Sequence, residues 1–350
     1  MKKSIASALT AAIVLGVAST SFATPTDEEV QALRERVAEL ERIIQQQNNS
    51  KASQREVDYL DSRVSELERT SGDSLSDKLS IGGELRYRFW SRYKASDVSN
   101  LQFRLLPTFK VDEHFAVKAR INASYDMNND TRTFYRTDYA YLESKFDNFQ
   151  LNAGKLPLFT NADEGLVADD YFSGLQAIAG EKIKFAVNAG KFSGDNYVGV
   201  EATTNFNDKI DAGLGYHYFK PDSSDNDFSI IAGGVGFNIN EDWRLFGAVA
   251  HNTEAHSDET AFNIEGSYMG AKKEEKGTWG AYAAYRYIPG NAVVAPTYDT
   301  FEQTVNKKGF EVGATWTPYK NTLTKLAYFH GKYFGGGDDR TLFARASIFF

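Results

Sequence analysis

Residues 79–89 read Leu79-Ser80-Ile81-Gly82-Gly83-Glu84-Leu85-Arg86-Tyr87-Arg88-Phe89. Leu79, Ile81, Leu85, Tyr87 and Phe89 fall on one parity; Ser80, Gly82, Glu84, Arg86 and Arg88 fall on the other. Successive side chains of a strand point to opposite faces, so this stretch is a strand with one ring-rich face and one charged face. The alternation returns at 117–125, 198–206 and 279–287. Sixteen segments of this kind run to the end of the chain: 79–92, 99–111, 115–126, 131–146, 149–156, 172–180, 182–192, 196–206, 209–220, 226–239, 243–252, 260–270, 277–288, 306–317, 322–334 and 339–350. Most reach the ~9–11 residues that a tilted strand needs to cross a bilayer.

The connections alternate in character. Asp112-Glu113-His114, Asp147-Asn148, Asn207-Asp208, Asn240-Glu241-Asp242 and 318–321 are tight turns, while 157–171 and 289–305 are long excursions. Short turns at one end, longer loops at the other and an even count fit an all-β fold: a transmembrane antiparallel β-barrel of about 16 strands. Closure also pairs every backbone group, as hydrocarbon demands. A large soluble β-sandwich is the alternative. Against it stand rings near strand ends, Arg and Glu at mid-strand, and glycines within strands. Pro107 inside segment 99–111 calls for a bulge, since a closed barrel has no edge strand to hold it.

Composition narrows the classes further. The 350 residues are 14% aromatic, hold 28 glycines and lack cysteine, which excludes disulfides, thiolate nucleophiles and Cys-ligated zinc. Beyond the N-terminus no apolar run approaches the ~18 residues of a spanning helix. A net charge of −8 with no basic block argues against nucleic acid as a partner.

Two zones precede the strands. Residues 1–23 read as a signal peptide: Lys2 and Lys3, an apolar stretch from Ile5 to Ala18, and Ser21-Phe22-Ala23 as cleavage site. Its loss removes Lys2 and Lys3 and takes the charge from −8 to −10. Residues 24–78 form a coiled-coil segment and linker. Val30, Leu33, Val37, Leu40 and Ile44, then Val57, Leu60, Val64 and Leu67, make an a/d seam that implies partner chains or folding back. Between Ile44 and Val57 the register slips, so the helix either continues with a stutter or folds into a hairpin. The a/d chemistry favours two strands.

The last segment ends Phe349-Phe350, with Leu342, Ala344, Ala346, Ile348 and Phe350 on one face. With the barrel pattern over 79–350, this resembles the bacterial outer-membrane porins; the coil in front is similar to that of phosphate-selective porins and of the main porins of diderm Firmicutes. The resemblance implies outer-membrane lipid as surroundings and recognition of Phe350 by the barrel assembly machinery. It further implies a homotrimer with the coil in the periplasm, within reach of peptidoglycan, and no cofactor. It also implies that the loop after the fifth strand folds into the barrel and narrows it.

Arg86, Arg88, Arg104, Lys118, Arg120 and Arg136 lie on the polar face of the first four strands, a basic ladder lining the channel. The loop after strand five carries Asp163, Glu164, Asp169 and Asp170. Folded inward, these acids would face the arginines and set a transverse field across the water gap. In the alternative, each Arg pairs with a nearby carboxylate such as Glu84 or Asp138, and the loop's acids face outward. Lys155 sits on the apolar parity of its strand, which calls for a bulge or strand end near Gly154.

Other words look catalytic. Gly72-Asp73-Ser74-Leu75 spells an esterase motif but sits in the linker, with no α/β domain around it. His251, Glu254 and His256 lack metalloprotease spacing. Asp126, Asn128 and Asp130 begin like a calcium loop, yet position six is Thr131 and position twelve Thr137. His217 is a lumenal histidine without an assignable partner. The sequence therefore reads as a non-enzymatic porin for passive diffusion of small hydrophilic solutes and ions. The alternatives are an anion- or phosphate-type selective channel, or a barrel that tethers the envelope through its coil.

Overall fold

The computed structural model describes residues 31, 35–39, 75–129, 133–221, 227–302 and 305–350. Residues 31 and 35–39 are helical, and Val37 among them is exposed. The rest of the a/d seam, the signal segment 1–23 and the Gly72-Asp73-Ser74 word lie outside the described residues.

From a four-residue helix, α1 (Leu75–Lys78), the chain enters sixteen strands. They are β1 (Leu79–Arg92), β2 (Val98–Lys110), β3 (Phe115–Asp126), β4 (Thr133–Phe146) and β5 (Phe149–Phe159). Next come β6 (Asp169–Ala179), β7 (Ile183–Phe192), β8 (Asp195–Asn207), β9 (Ile210–Lys220), β10 (Phe228–Asn238) and β11 (Trp243–Asn252). Last are β12 (Thr260–Met269), β13 (Trp279–Ile288), β14 (Lys307–Trp316), β15 (Thr322–Tyr333) and β16 (Asp338–Phe349). Each pairs antiparallel with its sequence neighbours, and β1 pairs with β16, from Glu84 opposite Phe349 to Arg92 opposite Thr341. The sheet is a closed barrel.

Three of the tight turns have a common chemistry. Asp112 Oδ1 accepts the amides of His114 and Phe115 at 2.8 and 2.7 Å. Asn207 Oδ1 does the same for Lys209 and Ile210, and Asn240 Oδ1 for Asp242 and Trp243. A short side-chain carbonyl that replaces a backbone acceptor is what makes Asp and Asn turn formers.

Period-2 alternation sorts the side chains. Phe103, Val117, Leu214, Ile231, Val249, Ile264, Phe310 and Leu326 face outward and exposed. Gln102, Asn122, Asn152, Asn188, Asn263 and Thr341 are buried on the inner face. Two irregularities differ from the sequence expectation. Pro107 makes no bulge: the β2–β3 ladder lapses at Leu106 and Pro107 and resumes at Thr108 in the same register. A missing N–H costs a rung without shifting the ladder. The bulge lies instead in β4, where Arg120 faces Tyr139 but Ile121 faces Thr137. The extra residue, Asp138, shifts the parity, so Arg136, Asp138, Tyr139 and Tyr141 all serve the inner side.

At Lys155 the structure shows the break near Gly154 that the residue's parity calls for. Gly154 adopts φ 135°, and among the described residues the β4–β5 ladder ends at the Ala140–Lys155 pair. Beyond it β5 pairs only with β6, up to Phe159 opposite Asp169. The β5–β6 hairpin thus leaves the wall at a residue free to take positive φ. Lys155 Nζ reaches across the seam to the Thr137 carbonyl at 3.1 Å.

The interior is not uniformly polar. Leu156, Leu158, Phe172, Tyr197, Phe219, Ile230, Phe246 and Phe329 are buried inside, packed with Leu166, Val167, Val293 and Phe301 from two loops. At ~1.5–3 kcal/mol per large side chain, this second core holds the loops inside the barrel.

Candidate channel constriction

Among the described residues two loops enter the barrel, 160–168 between β5 and β6 and, between β13 and β14, the segment 289–302. The sequence expectation placed only the first one inside. They are joined backbone to backbone: the Val294 and Ala295 amides donate to the Val167 carbonyl at 3.1 and 3.0 Å. Thr297 donates to Gly165 at 3.0 Å and Asp169 to Ala295 at 2.7 Å. Loop 160–168 rests on β8–β11. The Ala162 amide donates to Glu201 at 2.9 Å, and Gly213 admits the loop because a Cβ there would lie 2.4 Å from the Ala162 Cα. Loop 289–302 rests on β14–β16 and β1. Trp90 Nε1 donates to the Asp299 carbonyl at 2.7 Å, and the Asp299 carboxylate meets Lys325 at 2.8 Å and Arg345 at 3.4 Å. β1 and β9 are eight strands apart in a ring of sixteen, so the joined loops form a beam across the interior.

Several solved structures that resemble this barrel are forms of one protein. A five-substitution mutant of the Rhodopseudomonas blastica porin superposes with TM-score 0.54 at 11% identity, over 78% of this chain and 100% of that one. A double mutant and a triple mutant of the same porin give 0.54 at 12%, with the same coverage. The fold is the porin fold. No protein-family description matches the sequence, and no curated protein does.

In this porin-fold barrel the six basic residues singled out in the sequence share one wall. Arg104 stands level with Glu84 on β1 and Asn122 on β3, and Asn122 with Arg136 on β4. Arg86 and Arg120 lie one inward-facing rung to either side. Carboxylates are interleaved with them, as the pairing alternative describes. Arg86 meets Glu84 at 2.7 Å and Arg104 meets it at 3.4 Å. Arg120 and Arg136 share Asp138 at 2.8 and 2.6 Å, and Lys118 meets Glu143 at 2.8 Å. Arg88 stacks over Trp90 at 4.9 Å and donates to Asn100 at 3.3 Å. Arg120 also lies 5.2 Å from the ring centres of both Tyr139 and Tyr171, at the seam between β4 and β5.

The four loop acids divide. Asp163 is buried and turned into its own loop, accepting from Thr160 Oγ1 at 2.6 Å and the Val167 amide at 3.1 Å. Burial pushes its carboxyl up to about 6, against the pull of those donors. Glu164 pairs with Arg244 on β11 at 2.7 Å, away from the arginine wall. Asp169 accepts from Thr297 Oγ1 at 2.7 Å. Asp170, half-buried, is the one within electrostatic reach of Arg136 and Lys155. Asp169 and Asp170 open β6 rather than lying in the loop, because the β5–β6 ladder continues beyond the expected strand ends.

The acid that meets the basic side most directly is Asp299, which sequence reasoning missed. Burial opposes its ionisation, but Lys325 and Arg345 outweigh that and hold its carboxyl below the usual carboxylate range. Lys325 and Arg345 stand level on β15 and β16, and Arg345 stands level with Arg88, so the basic wall runs from β15 through the closure to β4. The neighbouring strands hold the beam by a different device. Arg286 on β13 is buried with Glu311 at 3.1 Å and Glu265 at 3.1 Å, and Tyr298 of the second loop stacks 3.8 Å from it. Glu311 also accepts from Tyr282 at 2.7 Å and from Thr300 of the loop. Arg286→Ala leaves Glu311 buried with its countercharge gone, and the expected cost is about 3–5 kcal/mol. Urea unfolding of the detergent-solubilised barrel measures it; a loss below 1 kcal/mol would mean the cluster does not anchor the loop.

The remaining sequence candidates are placed as follows. His251 Nδ1 contacts Thr260 Oγ1 at 2.9 Å, and His251, Glu254 and His256 do not converge on a common point. Asp126 Oδ1 accepts the Asn128 amide at 2.9 Å in a turn, and Asp130 lies outside the described residues. His217 does have a partner: its Nδ1 lies 3.2 Å from the Tyr197 hydroxyl.

Proposed function

We propose that this chain is an outer-membrane porin, a water-filled channel for passive diffusion of small hydrophilic solutes, with a preference for anions at its constriction. The observation that carries the reading is the charge balance of the wall facing the beam. Arg86, Arg88, Arg104, Lys118, Arg120, Arg136, Lys325 and Arg345 stand against Glu84, Asp138, Glu143, Asp170 and Asp299 among the described residues. Arg88, Arg104 and Arg345 each keep a buried Nε without a protein acceptor. A wall with more donors than acceptors attracts anions, and low-dielectric surroundings strengthen the effect. Conductance in planar bilayers with a salt gradient is the test: channels with an anion-signed reversal potential support the reading, and a non-conducting protein ends it. A channel that saturates with one anion such as phosphate would favour the substrate-selective alternative.

The outward apolar belt supports the membrane assignment, because a barrel with exposed Leu214, Ile264, Phe310 and Leu326 needs lipid to cover it. Leu214 is 64% exposed at the middle of β9. Leu214→Arg is expected to cost about 2–4 kcal/mol at the bilayer midplane, read by reversible unfolding from lipid vesicles. A loss near zero would place that face in water. The signal at 1–23, a coil in the periplasm, recognition of Phe350 by the assembly machinery and a trimer complete the proposal. Their support is the sequence pattern and the porin fold.

A further inference from the structure

We propose that Asp163, Glu201 and His217 form a zinc site that rivets the first inward loop to the barrel wall. All three are fully or almost fully buried, and one donor atom from each lies within 4.8 Å of the others. They come from separate elements: the loop, β8 and β9.

The case rests on how each side chain is held. His217 Nδ1 sits 3.2 Å from the Tyr197 hydroxyl, and its Nε2 is buried without a partner. Asp163 Oδ1 accepts from Thr160 and Val167, and its Oδ2 is likewise buried and unpartnered. Glu201 Oε1 accepts the Ala162 amide at 2.9 Å. Outer partners thus fix the orientation of all three, while a free imidazole nitrogen and a free carboxylate oxygen are left in a dry place. Orphaned buried atoms of this kind are costly unless something binds them. Tyr197 on the far nitrogen is the outer-shell contact that metal-bound histidines use to fix tautomer and ring orientation.

The donor set selects the ion. Two carboxylates this close and this buried repel each other, and a divalent cation removes that repulsion. The imidazole disfavours calcium and magnesium, which take oxygen donors, and one nitrogen with two carboxylate oxygens suits zinc with a fourth position for water. A cavity of about 580 Å³ lined by Gln150, Asn161, Lys184 and Glu201 extends from the Asp147–Asn148 turn to Glu201, the one ligand of the three that borders it. The site is separate from the basic wall and requires no particular solute to pass the channel.

The test uses the full-length, tag-free, folded protein in detergent, stripped with chelator and titrated with zinc chloride alone. One zinc per chain at micromolar affinity or tighter is expected. His217→Gln and Asp163→Asn each weaken it at least tenfold, Tyr197→Phe weakens it about tenfold, and His251→Gln leaves it unchanged. Cobalt(II) at the same site gives the intense visible bands of a four-coordinate ion. Should a substitution prevent folding, the cobalt spectrum of the wild-type barrel still decides: bands of a six-coordinate aqua ion, or none, overturn the site. Zinc binding by wild type that equals that of a folded His217→Gln barrel also overturns it. In that case the loop is held by its apolar packing, its hydrogen bonds and the Glu164–Arg244 pair, with no metal.

Discussion

Replacing Arg86, Arg120 and Arg136 together by glutamine is expected to move the reversal potential in a potassium chloride gradient most of the way to zero. These side chains belong to one wall, and Arg136 is 59% exposed, so its charge acts on the passing ion through water. A unit charge ~8 Å from the ion path at an effective dielectric of ~40 contributes about 1 kcal/mol, roughly fivefold in local ion concentration. Screening at 0.1 M salt acts over ~10 Å and trims this without removing it. The substitutions also release Asp138 from both its guanidinium partners, so a fixed negative charge appears where a group of net positive charge stood. The combined change in the anion-to-cation permeability ratio is about tenfold or more. Lys110→Gln, at the exposed end of β2, serves as control and is expected to leave the ratio unchanged. A triple variant as anion-selective as wild type would take the constriction away from this wall.

Deleting residues 291–301 is expected to raise single-channel conductance several-fold. The deletion takes out Ala292, Val293, Tyr298 and Phe301, the apolar part of the second loop, and with them Asp299. It also strips loop 160–168 of its backbone bonds from Val294, Ala295 and Thr297. A sixteen-stranded barrel is wide when unobstructed, so what fills it sets how much current passes. The milder Asp299→Ala keeps the beam's backbone and frees Lys325 and Arg345 toward the lumen. It should strengthen anion preference with little change in conductance. If the deletion variant folds and conducts like wild type, the second loop does not bound the path.

Much of the barrel is legible in the sequence because a period of two is a local signal. β1, β3 and β11 begin and end where alternation and turn residues say they should. Closure, too, follows from an even count and a terminal aromatic strand. A parity says which side a residue faces and nothing of what covers that side. Tyr197, Phe219 and Ile230 lie on the inner parity of their strands, where water was expected, and instead pack under loops. Lys325 stands between Leu323 and Ala327 on its parity and so reads as part of an apolar row. Arg345 gains its meaning only when the last strand meets the first. The Asp138 bulge has no signal beyond a crowded run of polar and aromatic residues. The cluster at His217 was invisible for a related reason. Its partners are 16 and 54 residues away along the chain, and only a loop that folds inward brings Asp163 to them.

The parting of β4 from β5 carries a mechanical consequence. A stave construction fails where one joint has fewer pegs than the rest, and past Ala140 this cylinder trades a row of amide rungs for side-chain contacts, a lysine tip on the Thr137 carbonyl and the rings of Tyr139 and Tyr171 about Arg120. Strain applied to the rim therefore concentrates along that line, so unzipping starts there and runs toward the Phe146–Phe149 turn. The same narrow joint lets the hairpin bend inward at all: the wall gives up tensile strength at one place so that the passage can be made small.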